Sequence, residues 1–337
     1  RRGAPPAPAP RPPRARPAME PPEKRRRQQE QEEEGGGSVY ADTNGVPRAG
    51  SPGRVLHLGL ADGELAARIL VVGHNSRAEL LAKLLEPEAP GGSVFRLASD
   101  RGFLTFTGSY RGARLSIVSI GMGLAMMDFF VREARAIVKG PMAVVRFGTC
   151  GCLQASVPVG SVSVAAEGSV LVQRNVQAFA AGRVPQEKGV NGDAPYLISD
   201  MCLPDAGLSA AALAAVRQDM PEGMGLSGAN VTADSFYGSQ GRLDPCFPDA
   251  NKGLIDEVLR RHPGAVTMEM ETFQLLHLAQ SCQPRGSLRA AAAVVVVANR
   301  PTGEVVSEEG LKKAERDGGA ALLRALASWA PEAPATA

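Results

Sequence analysis

The chain has 337 residues, of which 21% are charged, and a formal net charge of +2 at pH 7. This length suits one large domain or two small ones. Since no apolar run reaches about 18 residues, we expect no membrane-spanning helix and no membrane partner. The five cysteines are odd in number and lack a zinc spacing, which favours reduced packing residues in a cytoplasmic protein over a disulfide framework or a metal site.

The N-terminal stretch, residues 1–37, differs from the rest of the chain. It lacks Val, Ile, Leu, Phe and Trp and carries nine basic and six acidic residues. Such a segment buries too little apolar surface to offset its ordering entropy, so we predict a disordered tail and linker over 1–54 and a disordered end over 332–337. Positions 38–337 then hold 28 basic and 29 acidic residues, and this near-neutral charge argues against nucleic-acid binding.

Apolar runs and helical periodicities alternate through the remaining chain. We predict a polar loop at 233–245 and a cap at Asn75 or Ser76 for the first helix. Helices are predicted at 77–85, 124–138, 208–217, 252–261, 270–282 and 307–329. Strands are predicted at 68–72, 102–107, 115–120, 142–146, 161–166, 170–173, 228–232, 268–270 and 291–297. The alternation indicates an α/β domain with a mostly parallel or mixed sheet.

The stretch 142–153 organises the rest of the chain. An apolar strand is expected to end at Arg146, and Gly148–Gly151 is expected to form a tight turn. The guanidinium fork of Arg146 suits phosphate or carboxylate, and Thr149 adds a hydroxyl. With Arg77 near another glycine turn, these groups predict an anion cup for inorganic phosphate. A surface salt bridge made by Arg146 is the alternative.

A second cluster lies in the loop 234–244. Phe236 offers a flat face, Gln240 offers an amide donor and acceptor, and Arg242 offers a charged fork two residues later. In extended chain the last two side chains point the same way. The three together can hold a small planar heterocycle by stacking and edge hydrogen bonds. The alternative is an ordinary polar loop.

A third cluster, Thr267–Glu271, places two carboxylates among apolar residues where a strand passes into a helix. Glu269 and Glu271 can accept hydrogen bonds from ribose hydroxyls. Alternatively, they are acidic residues that the helix dipole favours near a helix N-terminus.

In this order the clusters resemble the nucleoside phosphorylase family, and within it the uridine phosphorylases. The resemblance spans about Leu56 to Trp329. Its individual motifs are weak and the ordered set is specific: His57-Leu58-Gly59-Leu60, Val72-Gly73 with Arg77, Arg146-Phe147-Gly148-Thr149-Cys150-Gly151, Phe236 with Gln240-Gly241-Arg242, Glu269-Met270-Glu271 and Asn299-Arg300. It implies a single three-layer α/β domain with a mixed central sheet over 55–331, preceded by the disordered tail.

The resemblance also implies roles for individual residues. The catalytic residues are expected to be Arg146, Gln240 and Arg242. The phosphate ligands are expected to be Gly73, Arg77, Arg146 and Thr149, with Arg101 reaching in from a neighbouring subunit. The nucleoside contacts are expected to be Phe236, Gln240, Arg242, Glu269, Met270, Glu271 and Arg300, with His57 from the neighbour at the 5′-hydroxyl. We therefore expect a homo-oligomer, either a dimer or a trimer of dimers.

The activity that the resemblance implies is reversible phosphorolysis of uridine to uracil and ribose 1-phosphate. The expected partners are a small nucleoside and inorganic phosphate as co-substrate, with no cofactor and no metal. A purine or methylthioadenosine-type relative is one alternative, although the stretch 298–300 lacks the Asp of purine-specific members. A catalytically inactive binding or storage member is the other, because the turn 121–126 lacks the Pro-Ser of relatives.

Overall fold

The computed structural model describes residues 44–50, 53–180 and 194–330. The predicted disordered stretches 1–43 and 332–337 lie outside these residues. Within the predicted linker, strand β1 (Arg48–Ala49) pairs antiparallel with β2 (Arg54–Val55). Ordered structure therefore begins before the boundary that we placed after residue 54.

The other strands and the helices follow in chain order. The strands are β3 (Arg68–Val72), β4 (Phe95–Ala98), β5 (Leu104–Tyr110), β6 (Ala113–Ser119), β7 (Met142–Cys152), β8 (Val162–Val164), β9 (Ser169–Arg174), β10 (Tyr196–Ile198), β11 (Gly225–Ser227), β12 (Ala229–Ala233), β13 (Ala265–Glu269) and β14 (Leu288–Asn299). The helices are α1 (Asn75–Ala82), α2 (Leu124–Ile137), α3 (Ala206–Asp219), α4 (Leu254–Arg261), α5 (Thr272–Ser281) and α6 (Glu308–Ser328). Among these residues, none of the helices is long and apolar enough to cross a membrane.

Strands β3 to β14 form one 12-stranded mixed sheet around β7. Strand β7 pairs in parallel with β3 and, along its whole length, with β14. Strand β13 joins it antiparallel near its carboxyl end. Helices α1, α3 and α6 pack on one face of the sheet, and α2 and α5 pack on the other. The predicted three-layer α/β architecture with a mixed sheet is confirmed.

The two layers of helices explain the apolar run in β7. Val144 packs with α2 and α5, whereas Val145 packs with α1, α3 and α6. Successive side chains of a strand point to opposite faces, so a strand covered on both sides needs apolar residues at every position. Each fully buried valine contributes about 1.5–3 kcal/mol.

The length of β7 corrects one prediction. We expected the strand to end at Arg146 and a tight turn to follow at Gly148–Gly151. The strand instead runs on to Cys152, because β14 offers a ladder partner as far as Asn299. The glycines in this stretch make room for neighbouring side chains rather than a turn.

Smaller differences concern short elements. Helix α1 begins at Asn75, and its cap is His74, whose side chain accepts a hydrogen bond from the Ser76 N–H. We had expected Asn75 or Ser76 as the cap, because neither propensity nor pattern favours histidine there. Strands β4, β10 and β11 were not predicted, since runs of three or four residues carry little periodicity.

Candidate active site

Arg146 lies within β7, on the face that α2 and α5 cover, and only 5% of it is exposed. Its side chain folds back over Gly148, two residues further along the same face. A Cβ at Gly148 would collide with the guanidinium. The absence of a side chain at Gly148 therefore lets the charge of Arg146 lie flat against the sheet.

Two carboxylates flank this guanidinium. Nη2 of Arg146 lies 3.0 Å from Oε2 of Glu269, at the end of β13, and it also contacts Glu271, which precedes α5. All three side chains are buried. One positive charge thus faces two negative charges away from water, an arrangement that is costly unless hydrogen bonds satisfy it.

Glu269 has its hydrogen bonds satisfied by the protein. Its Oε1 accepts from Asn230 at 2.8 Å and from Thr232 at 2.6 Å, and its Oε2 accepts from the Glu271 N–H at 2.9 Å. Burial alone would raise the pKa of Glu269, but the charge of Arg146 and these hydrogen bonds hold it below its usual value. The carboxylate that we expected to contact ribose is therefore turned toward protein donors.

Glu271 is less completely bonded. One oxygen accepts from the Gly123 N–H at the start of α2, and the other accepts from Arg146. Burial raises the pKa of Glu271, and the negative charge of Glu269 raises it further. The positive charge of Arg146 opposes this rise but does not cancel it, so the pKa lies above its usual value. Each oxygen keeps a lone pair that a ligand hydroxyl can use.

One donor of Arg146 remains unpaired. Its Nη1 is buried and has no hydrogen-bond partner among the residues that the structure describes. In the same part of the chain, the nearby hydroxyl of Thr272 also lacks a partner. Buried donors in folded proteins are nearly always satisfied, so each exception needs an explanation. An anion bound beside Arg146 would supply the missing acceptor.

Arg77 approaches β7 from the opposite face. It projects from α1, pairs with Glu315 of α6 at 2.8 Å, and donates from Nη1 to the Phe147 carbonyl at 3.1 Å. Burial lowers the pKa of Arg77, and the positive charge of Arg146 lowers it further. The two guanidinium groups are therefore close enough to repel each other.

The remaining predicted phosphate residues divide into two groups. Gly73 follows β3, where a Cβ would lie 3.4 Å from the Gly121 carbonyl oxygen, and Thr149 lies in β7. Arg101 is exposed between β4 and β5. The sheet order places β5 three strands from β7, roughly 15 Å away at the usual strand spacing. A single chain therefore does not bring Arg101 to Arg146.

The predicted base residues form one cluster. Gly238–Gln240 is a 3-10 turn followed by Gly241 in the left-handed region, not the extended chain that we expected. The side chains meet nonetheless, because Nη1 of Arg242 donates to Oε1 of Gln240 at 2.6 Å. The Arg242 guanidinium also lies 3.8 Å from the centre of the Phe236 ring. The turn thus brings the three side chains together.

Arg300 joins this cluster to the end of β7. Its Cδ lies 3.1 Å from the place a Cβ would take at Gly151, and its Nη1 lies 3.6 Å from the Met268 sulfur. Burial lowers the pKa of Arg242, and the charge of Arg300 lowers it further. The base cluster therefore lies at the same end of the sheet as Glu269 and Glu271. Met270, which separates these two glutamates in the sequence, is half-buried.

His57 lies apart from these groups. Its ring stacks on Phe129 of α2, with 3.9 Å between ring centres. Phe129 comes six residues after Gly123, which is about 9 Å along a helix axis. Like Arg101, His57 is therefore not beside Glu269 and Glu271 of its own chain.

Sequence reasoning missed three polar side chains that support the site. Asn230 and Thr232 hold Glu269, and Asn251 donates to the carbonyls of Gly238 at 3.0 Å and Arg242 at 2.7 Å. Asn230 and Thr232 alternate within an apolar strand, a pattern that signals polar groups bonded inside the core. Asn251 carries no comparable sequence signal.

The cysteines and the metal-ligating side chains do not add to the site. All five cysteines are free thiols, and Cys150, Cys152 and Cys202 are buried. Burial raises the pKa of Cys202 to about 11, which keeps it protonated. Within 44–50, 53–180 and 194–330, no group of three or more His, Cys, Asp or Glu side chains is placed to hold a metal ion.

Comparisons with known proteins show similarity to nucleoside phosphorylases. A uridine phosphorylase of Thermococcus kodakarensis is 26% identical over 282 residues, which are 83% of this chain and 89% of that protein. A DeoD-type purine nucleoside phosphorylase of Listeria welshimeri is 31% identical over 257 residues, 75% of this chain and 91% of that protein. A solved structure from work on two uridine phosphorylases of the oomycete Phytophthora capsici is 42% identical, with a TM-score of 0.78 over 86% of this chain and 99% of that one.

The family profile of the Phosphorylase superfamily matches residues 67–327, which include Gly73, the three clusters and Arg300. The chain therefore belongs to the phosphorylase superfamily, within its nucleoside phosphorylases, and is an enzyme of the pentosyltransferase class.

Proposed function

We propose that the enzyme catalyses the reversible phosphorolysis of uridine to uracil and ribose 1-phosphate. The observation that carries the proposal is the buried Nη1 of Arg146, a charged donor left unpaired among the described residues beside Glu271. A phosphate ion supplies the acceptor, and charge-assisted hydrogen bonds are about twice as strong as neutral ones. The free lone pairs of Glu271 suit ribose hydroxyls next to that ion.

The chemistry needs positioning and electrostatic stabilisation rather than a covalent intermediate with the enzyme. The C1′–N1 bond of uridine breaks, a phosphate oxygen bonds to C1′, and the electron pair of the broken bond leaves with the base. Phosphate held by Arg77 and Arg146 stabilises the positive charge that develops on the ribose. The charges of Arg242 and Arg300 stabilise the negative charge on the departing uracil.

The orientation of Gln240 supports a pyrimidine base. Because its Oε1 accepts from Arg242, its Nε2 faces away from Arg242 as a donor. Uracil presents carbonyl acceptors on both sides of N3–H, so Gln240 can donate to one carbonyl while its second oxygen lone pair accepts from N3–H. Phe236, already stacked on Arg242, borders the same space.

The end of β14 argues against the purine alternative. Asn299 is 1% exposed, and its amide donates to the carbonyls of Gln154 at 3.1 Å and Val157 at 2.8 Å. A purine base leaves best when an acid protonates its N7. By the resemblance, purine-specific relatives carry an Asp for this purpose at the place of 298–300, where this chain has none. A competition between uridine and inosine decides between the two substrates.

The proposal includes a homo-oligomer, a dimer or a trimer of dimers. His57 and Arg101 lie away from Glu269 and Glu271 of their own chain, so a second copy would supply them to each site. It also includes inorganic phosphate as the co-substrate with no cofactor. A cytoplasmic location is part of the proposal, for which the free cysteines are the support.

The test follows uracil release from uridine with and without phosphate. We expect release to require phosphate and ribose 1-phosphate to form in equal amount. Arg146→Ala should lower turnover at least about a hundredfold, as for loss of a donor to the reacting charge. Arg132→Ala, which removes a guanidinium that is 62% exposed, is the control and should retain activity. Equal release in phosphate-free buffer would identify a hydrolase, and no release would contradict uridine as the substrate.

A further inference from the structure

Glu133 is a buried carboxylate that the proposed mechanism does not use. It lies in α2 and is 3% exposed. Its oxygens accept from the main-chain N–H of His57 at 2.9 and 3.0 Å, from that of Leu58 at 2.8 Å, and from Nδ1 of His57 at 2.6 Å. In the described part of the chain it has no arginine or lysine partner. A buried carboxylate without a cation is costly, so a functional reason for its presence is expected.

These contacts fix the imidazole in one tautomer and one plane. Because an ionised carboxylate only accepts hydrogen bonds, Nδ1 of His57 must carry the proton. In the neutral imidazole, Nε2 is then the free ring nitrogen, with a lone pair that can accept from a hydroxyl. The ring stacks on Phe129 at an interplanar angle of 12°, which prevents it from turning.

The fixed ring is accessible from outside the chain. The His57 side chain is 23% exposed, whereas the Glu133 side chain is 4% exposed. Glu133 therefore holds the imidazole from inside the domain while Nε2 stays open to a ligand. Since His57 lies about two helical turns from the start of α2, that ligand belongs to a site on a second copy of this chain.

We propose that Glu133 is a positioning residue for nucleoside binding: it fixes the Nδ1–H tautomer of His57 and presents Nε2 to the 5′-hydroxyl of a nucleoside bound to a second copy. This inference rests on the proposed function. It differs from a purely structural role, in which Glu133 only anchors the main chain of residues 57 and 58. The two roles predict different responses to a substrate that lacks the 5′-hydroxyl.

The experiment compares kcat/KM for uridine and for 5′-deoxyuridine in the full chain. His57→Ala should lower the ratio of the two values roughly five- to tenfold, as for one lost hydrogen bond to a neutral group. Glu133→Ala should lower the ratio by the same factor, and the double variant should lower it no further. Asp128→Asn removes a carboxylate from the same helix that pairs with Arg132, and it should leave the ratio unchanged.

A structural role alone predicts that Glu133→Ala lowers both kcat/KM values together and leaves their ratio intact, and that result would overturn the proposal. If Glu133→Ala does not fold, ¹⁵N NMR of the wild-type histidine ring decides, with His57→Ala for assignment. An Nδ1–H tautomer supports the proposal, and an Nε2–H tautomer overturns it. Absence of uridine phosphorolysis would instead refute the proposed function, and the ring spectrum would still report whether Glu133 fixes the tautomer.

Discussion

The guanidinium of Arg146 occupies the space above Gly148 that the Cβ of any other residue would fill. Gly148 does not have positive φ, so its role is to provide space and not backbone freedom. The phosphate-binding charge that we propose thus depends on a missing side chain two residues away. This relationship makes Gly148 as sensitive to substitution as Arg146 itself.

Gly148→Ala should therefore displace Arg146 without breaking the strand. We expect KM for phosphate to rise and kcat to fall, together at least about a hundredfold in kcat/KM, because a donor to the reacting anion moves away. Steady-state kinetics at varied phosphate measure the effect. Gly207→Ala is the control, since a Cβ there lies 3.6 Å from its nearest neighbour, and it should be neutral. Unchanged phosphate kinetics in Gly148→Ala would contradict the proposed role of Arg146.

The raised pKa of Glu271 gives a prediction for stability against pH. The native state binds this proton more tightly than the unfolded chain, whose ordinary value is 4.5. The contribution of this proton to the free energy of unfolding is fully present below pH 4.5 and is lost as the pH rises through the pKa of Glu271 in the folded state. Glu271→Gln removes this loss and leaves Arg146 balanced by Glu269 alone. The melting temperature of the variant relative to wild type should therefore rise as the pH is raised above about 4.5.

Glu257→Gln is the control for this measurement. Hydrogen bonds from Arg260 and Arg261 lower the pKa of Glu257 to about 2. A lowered pKa gives stability that is lost only as the pH falls below the unfolded value. Its difference from wild type should be flat over the same range. A flat profile for Glu271→Gln as well would show that Glu271 is ionised in the native state throughout.

Gln240→Leu tests the base cluster. It should cost roughly 2–4 kcal/mol of transition-state stabilisation for uridine, as for one lost donor to a developing charge. KM for phosphate should hardly change, since Arg146 and Arg77 lie outside the base cluster. Gln280→Leu removes an amide that donates to the Leu203 carbonyl and should behave as wild type. Full uridine turnover in Gln240→Leu would show that this loop does not bind the base.

Removal of residues 1–37 tests the predicted tail. That stretch contains almost no core-forming side chains, so the melting temperature and the activity should both be retained. Removal of residues 1–55 is the contrasting variant, since it deletes Val55, which is 1% exposed, and both strands of the β1–β2 pair. That variant should be less stable. A clear loss in the shorter truncation would show that the tail contributes to the folded domain.

The sequence predicted the fold where patterning is local. The apolar runs at 68–72 and 291–297 became strands because helices cover both of their faces, and the 3.6-residue period at 307–329 became α6. The end of β7 was not predictable, since it depends on β14, whose residues lie far away in the sequence. From the sequence alone, Gly148 and Gly151 indicate a turn. Only the pairing with β14 shows that the chain stays extended there.

The sequence indicated which residues belong to the candidate site, but not which of them contact one another. Arg146, Glu271, Gln240 and Arg242 stand out because charged or amide groups interrupt apolar runs or cluster in a loop. The contact of Glu133 with His57 joins residues 76 positions apart, and no periodicity connects them. Asn251 likewise holds the base loop from outside it. Long-range polar contacts of this kind need the fold before they can be seen.

A competition assay measures whether the enzyme prefers uridine over a purine nucleoside. Uridine and inosine are supplied together at equal concentration with inorganic phosphate, and the initial rates of uracil and hypoxanthine formation are measured in the same tube. We expect uracil to form faster by at least two powers of ten, because a site built on hydrogen bonds rejects a base that leaves its polar groups unpaired. Faster formation of hypoxanthine would contradict it.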